Sequence, residues 1–329
     1  MCFNQIIQLH QNFSSTKLSE LRQELSQNNN MIKHNDLAVF ATGAFARFEA
    51  NEYSGIDLYL IKLGKEKNEE LIGANKDILD RCIINSISNI GLPPLCDEHV
   101  SLKVHNLDEI SKYMFMHNDF YFSFLEIRML FLLESAPIFN ESLYENIGKE
   151  MISKYLFEFS KQSKATSLYF MINDILRYWK TVFLNYQYLG SFKKDLDDWN
   201  CILYLKNLKM EFSKKLASYS FILQVLVQIG SPSTEGIFKI IQMKPLDRLF
   251  LLGNENRETL ALVNDIVEIY TEFLEFLNQP SEILYELIMD GDMRKPPFEI
   301  GQGIFSEKLF QLVLKISEKT QSDFMRMLI

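Results

Sequence analysis

A glycine after an apolar run, an arginine four residues on and an aspartate in the next apolar run form the stretch whose spacing points to chemistry. It reads Ala41-Thr-Gly-Ala-Phe-Ala-Arg-Phe-Glu-Ala-Asn-Glu-Tyr-Ser-Gly-Ile-Asp-Leu-Tyr-Leu-Ile61. At Gly43 the missing Cβ lets backbone approach a phosphate, whose oxygens exposed N–H groups can hold. Arg47 is a planar donor suited to phosphate or to a structural carboxylate, with Glu49 and Glu52 as the near candidates. Asp57 either caps a neighbouring turn or serves a site; a charge inside an apolar strand is costly without a purpose, which favours the site. Residues two apart on a strand share a face, so an Asp-x-Asp pair here would aim two carboxylates at one cation. The position two before Asp57 is Gly55.

Two strands must carry these residues. Leu37 to Ala41 reads as a buried strand, Thr42-Gly43 as a tight turn, and Ile56 to Ile61 as a second strand. Helical spacing is expected over Phe3 to Leu25 and over Asn75 to Asn89, with breaks at Asn28 to Asn30 and at Gly91, Pro93 and Pro94. Gly64 to Glu70 reads as a charged turn, Val100 to Val104 as a third strand, and Leu107 as the start of another helix. After Pro137 the pattern becomes helical, in long amphipathic stretches over Leu143–Ser160, Ala165–Tyr188, Trp199–Ile229 and Glu258–Leu277. The expected organisation is an N-terminal helical segment (1–35), a mixed domain (36–136) and a helical C-terminal domain (137–329), with the active cleft between the last two.

The Gly43 to Ile61 segment resembles the polymerase-beta-type nucleotidyltransferase superfamily, whose motif runs Gly-Ser or Gly-Gly, a spacer with Arg and Glu, then Ser-Asp-x-Asp. It is most similar to bacterial nucleotidyltransferases related to the signal-protein (PII) uridylyltransferases. Phe124 to Ser135 with Ala136 to Phe139 looks like that family's helix and loop after the catalytic sheet. Asn173 to Lys180, Leu184 to Tyr186 and Asn207 to Lys215 resemble helices of its C-terminal domain, so the likeness covers roughly residues 36 to 250. The resemblance implies an α+β fold: a small mixed sheet with flanking helices, then an all-helical domain. It implies transfer of a nucleoside monophosphate from a nucleoside triphosphate to a hydroxyl of a protein or small molecule, with weakly bound Mg2+ or Mn2+.

Position by position, Gly43 matches the phosphate-loop glycine and Ser54 the serine of the second motif. Arg47 and Glu49 match the spacer pair, and Asp57 matches the second carboxylate, a catalytic metal ligand. Asp97 is the first candidate for the third carboxylate and Glu98 the second. Ala44 stands where Ser or Gly is usual, which loses a hydroxyl but keeps the N–H. Gly55 stands where the first aspartate is expected. Losing one preorganised contact of that kind costs about 100- to 1,000-fold. Glu49 or Glu52 is the substitute to consider, and a catalytically inactive nucleotide sensor or protein-binding regulator is the rival to the enzyme.

The remaining groups read more blandly. Asn173 and Arg177 share a helix with Asp174, so a local pair competes with a substrate-facing role. Lys206, Lys209, Lys214 and Lys215 read as a solvated face. His34, His99, His105 and His117 lack ligand spacing, and Gly301-Gln-Gly303 is too short for a phosphate loop. With 34 Lys plus Arg against 43 Asp plus Glu, the net charge of −9 argues against a nucleic-acid-coating surface. Cys2, Cys82, Cys96 and Cys201 show no zinc spacing and read as free thiols of a reducing cytoplasm. The first residues lack a secretory pattern, and the run Met129 to Leu133, unsurpassed in length by any other apolar run, is far below the roughly 18 residues of a membrane span.

Overall fold

Leu37–Thr42 (β1) is buried along its whole length, as suits a strand covered on both faces. In the computed structural model, which describes residues 3–27, 36–63, 74–95, 102–112, 114, 122–158, 164–192, 197–254, 257–290 and 299–320, it is an inner strand of a four-stranded mixed sheet. Asp57–Lys62 (β2) pairs antiparallel on one side, Leu37 opposite Lys62 and Thr42 opposite Asp57. Val104–Asn106 (β3) adds parallel to β2, and Ser135–Phe139 (β4) pairs antiparallel with the other side of β1. The order is β3-β2-β1-β4.

Alternation along these strands sorts their side chains into two layers. Leu37, Val39, Ala41, Leu58, Leu60 and Val104 share one core with Leu18, Leu21 and Leu25 of α1 (Phe3–Gln27). The same core holds Phe45 of α2 (Gly43–Arg47) and Leu79, Ile83 and Ile87 of α3 (Ala74–Asn89). On the opposite face Phe40 stacks on Tyr59 and meets Phe131 of α5 (Phe122–Leu133) and Tyr144 of α6 (Glu141–Glu158). Asp57 is in register with Tyr59 and so belongs to this second face.

Two expectations are corrected here. The third strand starts at Val104, where the first sheet-facing apolar side chain meets Leu60, and Leu102 and Lys103 precede it; Val100 lies outside the described residues. Ala136 to Phe139, expected as a loop, is strand β4: Pro137 is tolerated because an edge strand leaves one side of its backbone unpaired. The expected division after residue 136 falls inside that strand. The expected breaks at Asn28 to Asn30 and Gly64 to Glu70, with His34, His99, His117, Cys2 and Cys96, lie outside the described residues.

The chain divides into two compact units, Gln8–Lys154 and Met1–Ile7 with Tyr155–Ile329. The second is helical: α7 (Lys164–Phe192), α8 (Asp197–Lys209), a π-helical turn (Met210–Lys214), α9 (Lys215–Val227), α10 (Thr234–Gln242), α11 (Pro245–Gly253), α12 (Arg257–Leu277), α13 (Ser281–Asp290) and α14 (Glu299–Lys319). From Leu216 to Leu226 nearly every residue of α9 is buried, as expected of a helix surrounded by others. Gly301 and Gly303 are ordinary residues of α14. Phe212, Tyr270, Phe273 and Phe305 form an aromatic cluster beside α9. No helix among the described residues is long and apolar enough to cross a membrane.

Arg248 of α11 is 1% exposed. Its guanidinium donates to the carbonyls of Ile240 at 2.9 Å and of Ile241 and Ala217 at 3.4 Å, and lies over the Phe221 ring. It thereby ties the end of α10 to α9 through carbonyls of both helices. We expect Arg248→Met, which keeps the volume but removes the donors, to destabilise the helical unit by on the order of 3 kcal/mol. A urea titration of both proteins measures this; an unchanged midpoint would show that those carbonyls find other partners.

Candidate functional site

Where β1 ends, Thr42 faces Asp57 across the ladder, and Gly43 turns the chain with φ +68°. A Cβ on Gly43 would stand 2.9 Å from Asp57 Oδ2. The left-handed backbone favours glycine here, and any side chain would also push the Asp57 carboxylate aside. The sequence reading paired these two residues, and the structure brings them together.

The five-residue helix α2 follows and ends at Phe48, whose φ of 62° is left-handed. Phe48 N–H donates to Phe45 O at 3.2 Å and Glu49 N–H to Ala44 O at 2.8 Å. That reversal returns Glu49 to Arg47. Arg47 Nε donates to Glu49 Oε2 at 2.7 Å, and its Nη1 donates to Glu134 at the junction of α5 and β4. All three side chains are at least nine-tenths buried. The carboxylates neutralise the guanidinium and tie the turn after β1 to the strand beside it. Of the two readings of Arg47, the described contacts support the structural one, with Glu49 as the partner and Glu52 exposed.

Ala44 is half-buried and packs against the core. Ser54 closes the next turn: its Oγ donates to Asn51 Oδ1 at 2.9 Å and accepts from Asn51 N–H at 3.1 Å. Gly55 is exposed, and a Cβ there would meet nothing within 4 Å. Asp97 and Glu98 lie outside the described residues. From α1, Ser14 Oγ accepts from Ala50 N–H and His10 Nδ1 donates to Ala50 O, each at 3.1 Å. This clamps the segment between Arg47 and Asp57.

Glu134, His10 and Ser14 escaped the sequence reading. In sequence Glu134 is only the charge that follows the apolar run Met129 to Leu133. His10 and Ser14 did carry a signal: at i and i+4 they share the helix face of buried Leu18, Leu21 and Leu25.

In the helical unit, Asn173 and Arg177 are exposed. Arg177 Nη1 is 4.0 Å from Asp174 Oδ1, and Asp174 accepts from Tyr155 OH at 2.7 Å. The expected local pair is present. The lysines do not form one solvated face: Lys206 and Lys209 are exposed, Lys214 is half-buried, and Lys215 is buried. The π-helical turn carries Lys215 inward, where Glu211 neutralises it.

His105 on β3 lies beside Tyr59, ring centroids 6.2 Å apart. Burial, with a smaller push from Lys103, lowers its imidazole to about 4. Among the described residues no group of three His, Cys, Asp or Glu side chains forms a metal-holding cluster. No protein-family model matches the chain, and no curated protein matches it.

Replacing Arg47 with Met leaves two buried carboxylates facing each other and should cost about 3–5 kcal/mol. The triple variant Arg47→Met, Glu49→Gln, Glu134→Gln should recover most of that loss in chemical denaturation. If the triple variant is no better than the single one, charge pairing is not what holds this turn.

His105 sets a pH dependence. An unfolded histidine takes up its proton near 6.5, while the folded one refuses it down to about 4. Between those values the unfolded chain binds the extra proton, so stability falls as the pH drops. At about 1.4 kcal/mol per pH unit, the loss reaches about 3 kcal/mol at the bottom of the window. His105→Gln should flatten this part of the profile in thermal melts; parallel profiles would assign the acid sensitivity elsewhere.

Proposed function

We propose that Gln8–Lys154 is a nucleotidyltransferase-type domain with weakened or lost transfer activity, serving as a nucleotide-binding or protein-binding regulator of the cytoplasm. The observation that carries this reading is the contact between Gly43 and Asp57. A left-handed glycine at the end of one strand lies against a carboxylate at the start of its antiparallel neighbour, in the order and spacing of the superfamily motif. The mixed sheet with helices on both faces is consistent with it.

The same residues weigh against efficient transfer. That reaction needs divalent cations held by converging carboxylates, which clamp the triphosphate and activate the attacking hydroxyl. Among the described residues Asp57 is the site's carboxylate of the right kind. Glu49 is taken by Arg47, Glu52 is exposed on the adjoining turn, and position 55 has no side chain. The described residues do not fit a two-metal centre. Arg47 is likewise committed to Glu49 and Glu134, so phosphate contact falls to the backbone around Gly43 and Ala44.

Gly55 supplies the test. Its exposure and open surroundings mean that Gly55→Asp adds a carboxylate without a steric penalty. Like charges near Asp57 should lower the melting temperature slightly without metal. Mg2+ or Mn2+ should reverse this, by about 2.7 kcal/mol at a hundredfold excess over Kd, because a ligand of the folded state alone stabilises it. Calorimetry with each of the four nucleoside triphosphates, with and without Mg2+, reads binding, and pyrophosphate release reads transfer. The expected result is nucleotide binding by the parent without appreciable release, and faster release by the variant. A parent as fast as the variant would overturn the loss of activity. Failure of both proteins to bind any nucleotide would overturn the nucleotide-binding role.

A further inference from the structure

β1 and β3 are buried at every residue, and β2 at every residue except Asp57 and Tyr59, which are half-buried. Two apart on one strand, these two share a face, the one opposite the core formed with α1 and α3. Their exposure has a structural cause. β3 pairs with β2 from Leu60 to Lys62, and that pairing does not extend to Asp57 or Tyr59. Phe131 and Tyr144 cover the same face over Phe40 of β1. What stays open is a short strip of sheet surface that begins against Gly43 and carries two polar side chains.

Tyr59 is held in place. Its ring stacks on Phe40 with centroids 5.9 Å and planes 21° apart, and the His105 ring stands beside it at 6.2 Å. A side chain fixed in this way loses little freedom when it meets a ligand. The positions of Asp57 and Tyr59 are about 7 Å apart along the strand. An ionised carboxylate can only accept hydrogen bonds, whereas a phenol both donates and accepts.

The part of a ligand that suits this strip follows from that pair, on the reading that the domain binds a nucleotide. A carboxylate repels phosphate oxygens and welcomes hydroxyl donors. The phosphates therefore belong on the backbone of the Gly43 turn. The group that follows them in a nucleotide is the ribose, which is uncharged and carries hydroxyls. We propose that Tyr59 is a specificity-determining residue of the Gly43–Asp57 site, its phenol hydrogen-bonding the ribose hydroxyls of a bound nucleotide and selecting against sugars that lack them.

Tyr59→Phe removes the hydroxyl and keeps the ring that packs on Phe40, so the full-length variant should melt close to its parent. The probes are the tightest-binding of the four nucleoside triphosphates and its 2′,3′-dideoxy counterpart, each titrated calorimetrically into both proteins. The parent should prefer the ribonucleotide by about five- to tenfold, the worth of one neutral hydrogen bond. Tyr59→Phe should abolish that preference by weakening the ribonucleotide alone. The parent's own preference needs no variant: equal affinity for the two probes overturns the proposal. Ribonucleotide binding unmoved by Tyr59→Phe, or an equal loss of both probes, overturns it too. A parent that binds neither probe overturns the nucleotide-binding reading, and this proposal with it; a parent that binds both equally leaves that reading standing and removes the role of Tyr59.

Discussion

A guanidinium that leaves water must be met by carboxylates, and the turn after β1 is built around that requirement. Arg47 is buried with Glu49 two residues away and Glu134 at the junction of α5 and β4. A buried ion pair gains little over a well-packed apolar replacement, but removing one partner is severe. Its value lies in specificity: it fixes which helix-to-strand junction lies beside which turn. The left-handed Phe48 is the backbone cost of returning Glu49 to Arg47, and the α1 side chains His10 and Ser14 hold Ala50 immediately beyond. The position of Asp57 against Gly43 follows from this frame and from the Thr42–Asp57 register.

The helical unit uses the same principle with different partners. Arg248 is surrounded by carbonyls and an aromatic face, and Lys215 by Glu211, Ser306 and Trp179. Each buried cation is satisfied, and each joins segments that apolar packing alone would leave free to slide. The contrast lies in the neighbours: Gln224 closes the surroundings of Arg248 by donating to its carbonyl at 2.6 Å, whereas the Nε1 of Trp179, beside Lys215, has no hydrogen-bond partner.

Much of the sheet unit was legible because local pattern and tertiary role agree there. Leu37 to Ala41 is apolar on both faces and became the inner strand, and Ala74–Asn89 followed its helical spacing closely. The errors arose where context overrides pattern. Pro137 reads as a break until an edge position makes its missing N–H harmless. The start of β3 is set by which residue meets Leu60, which only the register reveals. Gly43 and Asp57 were legible as a pair because motif spacing spans them. For Arg47 a structural pairing with Glu49 was one of two legible readings, but the second partner was not legible, because Glu134 lies 87 residues along the chain. The π-helical turn left no mark in the composition of Met210 to Lys214, and it reversed the reading of Lys215.

These roles separate the motif residues by what their loss would cost the fold. Gly43 is held by its positive φ and by the carboxylate against it, so a side chain there is strained whatever its chemistry. Arg47 and Glu49 are held by mutual burial. Gly55 is held by nothing: it is exposed, its surroundings are open, and no strand pairing includes it. On the nucleotidyltransferase reading, a carboxylate at that position would contribute to a cation site and to nothing else, whereas its neighbours in the motif also maintain the turn. On the reading proposed here, loss of transfer therefore falls first at position 55, where it costs no stability, while the turn, the ion-pair frame and the sheet persist. Retention of Gly43, Arg47 and Glu49 is thus weak evidence for catalysis, because stability alone accounts for it; the residue at position 55 is the informative one.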